Sequence, residues 1–550
     1  VEDAIKNPKK LLRAILIIAF VFYFIQISRA AFAAGAIDNL VADLKTSVKD
    51  KNFAESSKIL KEIKDKTETI GSSVKNLFPI TKLPIVSGET KAVVLAAKSA
   101  SETLGSAVLV AEWINSSPIL SKGEFSSFEN LTEEDRSSLL KYLNDSPELL
   151  KKISQNTSKS SDLLLEAEKS TKIPIFNSKI KSIIEQIKQY QQILEKIEPW
   201  LAVAPSVLGY EKERTYLILL QNNTELRPTG GFIGTYGVLK IKNAKVAEFT
   251  TDNVYNLDEP SKSYNTKIPP QPLQKYIKQS QWFFRDSNWD PDFPSSAQNA
   301  IQFYKDEKGH VKHFDGVISF TPDLIEDMLL VIGPIYSEGK EFTAENLVDT
   351  LAYHVEKGFK EQGINIYNRK KIIDDIAQQM KQKIFSMSSE KIKSMLPIVF
   401  KNFDEKQLMM WFEDKNAQNI VEKFNFGNAI LKSEKDYFYI VDANLGSLKS
   451  DPAIKKSIEY SIEKTKDNEY VSKISITYEH TAGFDWKTTR YRTYTRVYVP
   501  QGSSLVSASG NEEDIKVSNE HGKTVFGTFI SIEPKSKETL SFSYKLPKDM

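Results

Sequence analysis

Cysteine is absent from all 550 residues, which rules out disulfide staples, thiolate metal sites and a cysteine nucleophile. Net charge is nearly absent too: 74 Lys and Arg stand against 72 Asp and Glu, leaving +2. A general polyanion binder draws its affinity from uncompensated basic charge, so nucleic acid is not an expected partner. Histidine is scarce, and His310 and His313, flanking a turn without a third ligand, read as surface residues rather than a zinc site. The chain also lacks H-E-x-x-H, a G-x-S-x-G elbow and a dinucleotide fingerprint, which weakens protease, hydrolase and NAD readings. What remains is a globular composition, 40% hydrophobic and 27% charged, over a length that one core does not organise, so at least three folded parts are expected. The chain starts at Val1 and stops at Met550 just after a strand-like segment, and both ends are expected to be cut.

The first long apolar run is Leu11 to Ile37, interrupted only by Arg13 and Arg29. With both arginines snorkelling to the interfaces it is long enough to cross a bilayer. Lys9, Lys10 and Arg13 precede it, so the positive-inside rule places the amino terminus in the cytoplasm and everything after Asp38 outside. A cleaved signal peptide ending near Ala31-Phe32-Ala33 gives the same location for the remainder. We expect a single-pass anchor over 1–37, with the lipid bilayer as a partner.

Residues 38–205 read as a helical stalk. Thr132 and Asp135 have capping-box spacing, Ser146-Pro147 is a start signal, and Asn177 can cap a helix with apolar residues at Ile180, Ile183, Ile184, Ile187, Tyr190, Leu194 and Ile197. Pro79, Pro84, Pro118 and Pro174 divide the segment into hairpins. From 206 to 430 the grammar becomes α/β. Thr215–Leu220 is a buried strand, 231–249 a hairpin about Lys242–Lys245, Phe314–Phe320 a strand, and Leu324–Ile332 a helix stopped at Gly333-Pro334. Further helices are expected over Ser295–Tyr304, Glu345–Phe359 and Asn368–Ser386. From 431 to 550 strands follow one another between glycine turns, as in a β-sandwich, with Thr493, Thr495, Val497 and Val499 on one face. The fold class is thus a multidomain α+β chain: anchor, stalk bundle, α/β core and sandwich.

Three stretches are candidates for chemistry. Gln221–Gly234 (QNNTELRPTGGFIG) follows a buried strand and offers Gln221, Asn223, Thr229, Gly230 and Gly231, whose backbone and amides suit an anion. It also reads as a tight connection, and no Gly-Lys-Ser/Thr makes it a P-loop. Asp286, Asn288, Asp290 and Asp292 alternate as in a calcium loop, but Pro291 and Ala297 stand where that loop needs Gly and Glu. A looser divalent site or a turn with Arg285 paired to an acid are the alternatives. Arg369-Lys370-Lys371 opens a helix and by itself reads as a solvated face.

The blocks Gln221–Val246, FRDSNW at Phe284–Trp289, Asp292-Phe293-Pro294, Phe314–Ile335 and VDANLGSLKSD at Val441–Asp451 resemble the bacterial membrane-anchored family called domain of unknown function 4012. That family has no established activity. A fainter resemblance is to the LytR-CpsA-Psr phosphotransferases, which have an amino-terminal membrane helix and an extracytoplasmic α/β domain. They transfer glycopolymers from polyprenyl pyrophosphate to cell-wall peptidoglycan with clustered arginines and magnesium. The similarity spans Lys212 to Ser386, with two departures: Asn222 or Asn223 replaces the aspartate ending the first strand, and Arg285-Asp286 comes later than that family's arginine-aspartate pair.

The resemblance implies a cell-envelope phosphotransferase in which Arg227, Arg285, Asp286 and Arg369 act on a lipid-linked pyrophosphate. Gln221, Asn223, Thr229, Gly230, Gly231 and Lys370 would bind substrate, and Asp286 and Asp292 would hold Mg2+. An envelope glycan would supply the acceptor hydroxyl. The alternative is a non-catalytic envelope scaffold that binds glycan or protein, for which Tyr491, Tyr494 and Tyr498 offer an amphipathic contact face; core packing or an ordinary solvated face accounts for the same tyrosines. The two differ in what the arginines do: convergence on one apolar-walled pocket favours the enzyme.

Overall fold

The computed structural model describes residues 8–77, 80–84, 86–117, 119, 131–365 and 368–547, with backbone alone at 8–20, 23, 80, 193, 196, 197, 389 and 390. The chain divides into two compact units, one running to Tyr210 and one from Glu211 onward.

The first unit is helical among its described residues: α1 (Pro8–Lys49), α2 (Phe53–Lys75), α3 (Ser87–Ser116), α4 (Glu133–Asn144), α5 (Pro147–Ser170) and α6 (Pro174–Val207). Helix α1 packs on α2, α2 on α3, α3 on α5, and α5 on α6. Ala92 and Leu95 of α3 meet Leu164 and Ala167 of α5 and Ile180, Ile184 and Ile187 of α6. Small residues bring α3 and α5 close, and Ser99 and Ser160 share a buried hydroxyl hydrogen bond of 2.7 Å.

The Thr132–Asp135 capping box forms, with Asp135 N donating to Thr132 Oγ1 at 3.1 Å. Two other start signals work differently. Ser146 flanks Pro147, but its hydroxyl donates back to Tyr142 O and accepts from Trp113 Nε1 instead of capping α5. Helix α6 starts at Pro174, three residues before Asn177, whose amide donates to Glu168 O at 3.2 Å. The proline fixes the helical φ one turn earlier than the amide would. The α6 stripe is narrower than its sequence suggests, since Ile183 and Tyr190 are exposed; the Ile197 side chain, Pro79 and Pro118 lie outside the described residues.

The expected anchor is helical from Pro8, and its first seven residues and the side chains of 8–20 lie outside the described residues. Beyond them Phe24, Ile27 and Phe32 are exposed. Among the described residues the one helix long and apolar enough to cross a membrane, by length and composition, is α3, far from the N-terminal run. A third of its apolar window, 33%, is buried inside the bundle.

The second unit joins the α/β core and the sandwich. Its first sheet has the order β3-β2-β1-β4-β7, from β1 (Arg214–Asn222), β2 (Phe232–Lys242), β3 (Lys245–Asn253), β4 (Gly316–Phe320) and β7 (Leu408–Phe412), while β5 (Ile335–Ser337) and β6 (Lys340–Phe342) pair as a separate hairpin. Strands β1 and β4 are parallel and the other pairs antiparallel. The parallel step needs a crossover, and it contains α7 (Val254–Ser261) and α8 (Phe293–Asp306). Strand parity sends alternate residues of β1 to opposite faces. Leu217 and Leu219 join Phe284, Phe293, Phe303 and Tyr304 in a core under α7 and α8. Ile218 and Leu220 face a second helical layer of α9 (Pro322–Ile332), α10 (Leu347–Tyr353), α11 (Lys371–Phe385) and α12 (Ser389–Asp404). That layer has its own core, with Leu329, Phe342, Ile372 and Met395. The helix expected over Glu345–Phe359 runs from Leu347 to Glu361, α10 passing through a π-turn at His354–Gly358 on the way.

The C-terminal strands β8 (Tyr439–Asn444), β9 (Ile454–Lys464), β10 (Tyr470–His480), β11 (Tyr491–Pro500), β12 (Ser504–Ser509), β13 (Lys516–Glu520), β14 (Lys523–Ile532) and β15 (Lys537–Lys545) make two four-stranded sheets, β12-β15-β10-β9 and β13-β14-β11-β8. Thr493, Thr495, Val497 and Val499 of β11 (Tyr491–Pro500) are fully buried, as their alternation predicts. The opposite face of β11 is covered as well: Arg496 Nη2 donates to Trp289 O at 2.7 Å, and Trp289 stacks on Tyr494. Tyr491 on the inner face and Tyr494 and Tyr498 on the covered one are all buried, so they pack within the fold and offer no contact face.

Candidate functional site

Between the second face of the sheet and the helical layer lies a cavity of about 950 Å3. Its bore is apolar, with Ile218, Leu220, Phe249, Ile318, Ile376 and Met380 on its walls. Each wall arises from periodicity: alternate positions of β1 and β4 on one side, and i, i+4 positions of α11 on the other. The mouth is cationic. Arg227, Arg285, Arg369, Lys370 and Lys449 all line it.

Arg227 sits on the β1–β2 connection and is 8% exposed. Its Nε faces Asp286 Oδ1 at 3.3 Å and its Nη1 donates to Asn444 O at 2.6 Å. Arg285 donates Nη1 to Asp258 Oδ2 at 2.8 Å and stacks on the Phe283 ring at 4.5 Å. Arg369 donates to Val355 O at 3.1 Å and lies 3.6 Å from Glu356, both on the π-turn. Its Nε is buried without a hydrogen-bond partner. A π-turn breaks the regular ladder and re-aims its residues, and here it carries Glu356 to the mouth.

Lys370 precedes α11 and donates Nζ to Gly234 O. Burial, and then the neighbouring Arg369, push its ammonium down to about 7. Lys449 is ion-paired with Glu225 and, at 3.3 Å, with Glu356. Burial lowers its pKa, but these two carboxylates outweigh it and hold it above the ordinary lysine value.

Behind Arg285 lie two buried acids, Asp258 and Glu307. Asp258 Oδ1 and Glu307 Oε2 each lack a partner as unprotonated carboxylates, and one shared proton satisfies both. Burial, and then the charge of Asp258, push the Glu307 carboxyl upward, and burial raises Asp258 too, so the pair holds a proton between them. Arg285 faces the Asp258 end of the pair.

Of the residues singled out in the sequence, Gln221, Arg227, Arg285, Asp286, Arg369 and Lys370 meet on this cavity. The rest do not line it. Gln221 is largely internal: its Oε1 accepts from Thr229 Oγ1, Gly231 N and Asn288 Nδ2 at 2.9, 3.0 and 3.1 Å. Thr229 is thereby consumed in folding the loop. Gly231 is where the chain crosses Asn222, so closely that a β-carbon would lie 2.5 Å from the Asn222 carbonyl carbon. Asn223, Thr229 and Gly230 line a second, polar cleft of about 940 Å3.

Asp292 caps α8, accepting from Ser295 N at 3.1 Å, and its other oxygen accepts from Ile430 N at 2.9 Å. Asp286 is engaged by Arg227 and by Gln279 Nε2 at 3.0 Å. These two carboxylates do not fit a shared magnesium ion, since only Asp286 reaches the cavity and both are occupied. Among the described residues no group of three or more acids and histidines is arranged to hold a metal.

Sequence reasoning missed Lys449, Asn444, Glu225, Glu356 and Asp258 as members of the site. The signal for the first two was the VDANLGSLKSD block, whose polar residues turn back onto the core: Leu226 N donates to Asp451 Oδ2 at 3.0 Å.

The comparisons agree with part of this frame. No curated protein and no solved structure matches the chain. Residues 211–355, which carry β1 to β6 and two of the three mouth arginines, Arg227 and Arg285, match the model of a family described as a protein of unknown function, DUF4012.

Proposed function

We propose that the protein is a membrane-anchored, extracytoplasmic cell-envelope protein that takes a polyprenyl chain in the apolar bore and its phosphate groups at the cationic mouth. The anchor is the N-terminal helix α1, which leaves the second unit outside the cytoplasm. From such a carrier it transfers a glycopolymer to an envelope acceptor, as the LytR-CpsA-Psr phosphotransferases do. The observation that carries this reading is the convergence of Arg227, Arg285, Arg369 and Lys370 on the mouth of one long apolar cavity. Guanidinium forks match phosphate oxygens and stabilise charge on a phosphate leaving group. An apolar bore beside them suits a ligand with a hydrocarbon tail and an anionic head.

One observation favours a second reading, in which the site binds such a lipid without turning it over. Arg227, Arg285 and Arg369 already face Asp286, Asp258 and Glu356, so part of their charge is spent within the fold.

Mass spectrometry of lipids extracted from the purified full chain tests the binding common to both readings. Ala377 lines the bore, and Ala377→Trp fills it without touching the mouth. A polyprenyl phosphate or pyrophosphate is expected with wild type and not with Ala377→Trp. If no such lipid appears, and added undecaprenyl phosphate does not raise the unfolding temperature, the proposal fails.

A further inference from the structure

Four of the five cations at the mouth face a carboxylate: Arg227 faces Asp286, Arg285 Asp258, Arg369 Glu356 and Lys449 Glu225. Lys370 has no carboxylate within ion-pair distance among the described residues. Its Nζ has one hydrogen bond, to Gly234 O, and the Tyr255 ring centre lies 5.7 Å away. Room for the amine is provided by Gly234 itself, where a β-carbon would come within 3.2 Å of Lys370 Nζ. The fold thus sets a buried amine into the cavity and pairs every charge around it except its own.

The geometry points to Lys370 as the group that takes the proton of the attacking hydroxyl in the transfer proposed above, on which this inference rests. The acceptor oxygen bonds to the phosphorus that bears the glycan. The bond from that phosphorus to the bridging oxygen breaks, and polyprenyl phosphate leaves with the electron pair. The hydroxyl proton passes to Lys370 Nζ. The other charged groups lining the cavity are engaged: arginine does not give up its proton, Asp286 is tied to Arg227 and Gln279, and Glu225, Glu356 and Glu259 face Lys449, Arg369 and Lys262.

A base is most effective when its pKa lies near the working pH, and burial brings Lys370 to about 7. The charged groups facing it come from four segments: Arg369 beside it, Glu356 on the π-turn, Glu225 after β1 and Lys449 from the sandwich. The two carboxylates raise its basicity, yet both are already engaged by Arg369 and Lys449.

Lys370→Arg keeps the positive charge but cannot act as a base, so it separates binding from proton transfer. The full chain in detergent would be assayed for binding undecaprenyl phosphate by its thermal shift. Turnover would be followed as hydrolysis of undecaprenyl pyrophosphate, with water as acceptor. Lys370→Arg is expected to bind within about threefold of wild type while kcat falls by ~10²–10⁴, the usual range for losing a general base. Wild-type kcat should rise with pH through about 7 to a plateau, and Lys370→Ala should recover turnover with added methylamine. Wild-type turnover in Lys370→Arg, or binding and turnover falling together without amine rescue, overturns the inference. A wild type that binds but does not turn over overturns it too and leaves the lipid-binding reading standing, whereas a wild type that does not bind removes both.

Discussion

The guanidinium of Arg227 reaches the main-chain carbonyl of Asn444, 217 residues away in sequence, at 2.6 Å. This bond fastens the β1–β2 connection of the α/β core to the end of β8 (Tyr439–Asn444) in the sandwich, and Asn444 N returns a bond to Leu226 O at 3.0 Å. The site is therefore shared between the core and the sandwich.

Removing Arg227 should cost more than its packing. It leaves Asp286, 2% exposed, as a buried charge short of a partner, and breaking one side of such a pair costs about 3–5 kcal/mol. Arg227→Ala is expected to lose stability on that scale in urea unfolding. Arg227→Ala with Asp286→Asn should be more stable than Arg227→Ala alone, because the orphaned charge is gone.

The Asp258–Glu307 pair makes a pH-dependent contribution whose sign is fixed. The folded pKa of Glu307 lies above its ordinary value of 4.5, so the folded state binds more protons than the unfolded one. Its contribution is complete below about pH 4.5 and is lost as pH rises through the folded value. Glu307→Gln keeps the donor to Asp258 and cannot ionise. Wild type should lose stability relative to Glu307→Gln as pH is raised from 5 to 9 in matched urea titrations. Parallel curves would show that no proton is shared.

Gly231, just before β2, and Gly234, within it, should respond differently. At Gly231 a new β-carbon would lie 2.5 Å from backbone carbon, which cannot move aside, whereas at Gly234 it would meet the end of Lys370 at 3.2 Å. Gly231→Ala is expected to destabilise by about 3 kcal/mol or more, the upper end for overpacking. Gly234→Ala should cost about 1 kcal/mol while displacing the Lys370 amine. Thermal unfolding of both variants in one buffer makes the comparison.

Chelation should be without effect on the ligand-free protein. Asp286 and Asp292 spend their oxygens on Arg227, Gln279, Ser295 and Ile430. A resident ion at 100 times its Kd would contribute about 2.7 kcal/mol of stability, which EDTA would remove. An unfolding temperature that drops with EDTA and returns with Mg2+ would show that these carboxylates rearrange around a metal.

Local signals in the sequence read true where the physics was local. Alternation in Thr493–Val499 located one buried face of β11, Thr215–Leu220 falls within β1, and Gly333-Pro334 closes α9. Three start signals were present, but Pro174 displaced Asn177 and Ser146 was drawn into bonds with Tyr142 and Trp113. Hydrogen-bond competition of that kind depends on neighbours a linear reading does not see.

For the site, the sequence by itself determined which residue types were available: arginines, a glycine-rich turn after a buried strand, and no cysteine. Tertiary structure decided which of them meet. It brought Arg369 and Lys370 from what looked like a solvated helix start to the mouth of the cavity, and it placed Lys449 of the sandwich beside Glu225 of the core. It also turned Thr229 and Asp292 into internal hydrogen-bond acceptors and, of the two readings open for Tyr491, Tyr494 and Tyr498, chose core packing over a contact face. The reason is that periodicity and turn chemistry act over a few residues, whereas burial and charge pairing depend on what the rest of the chain packs against each side chain.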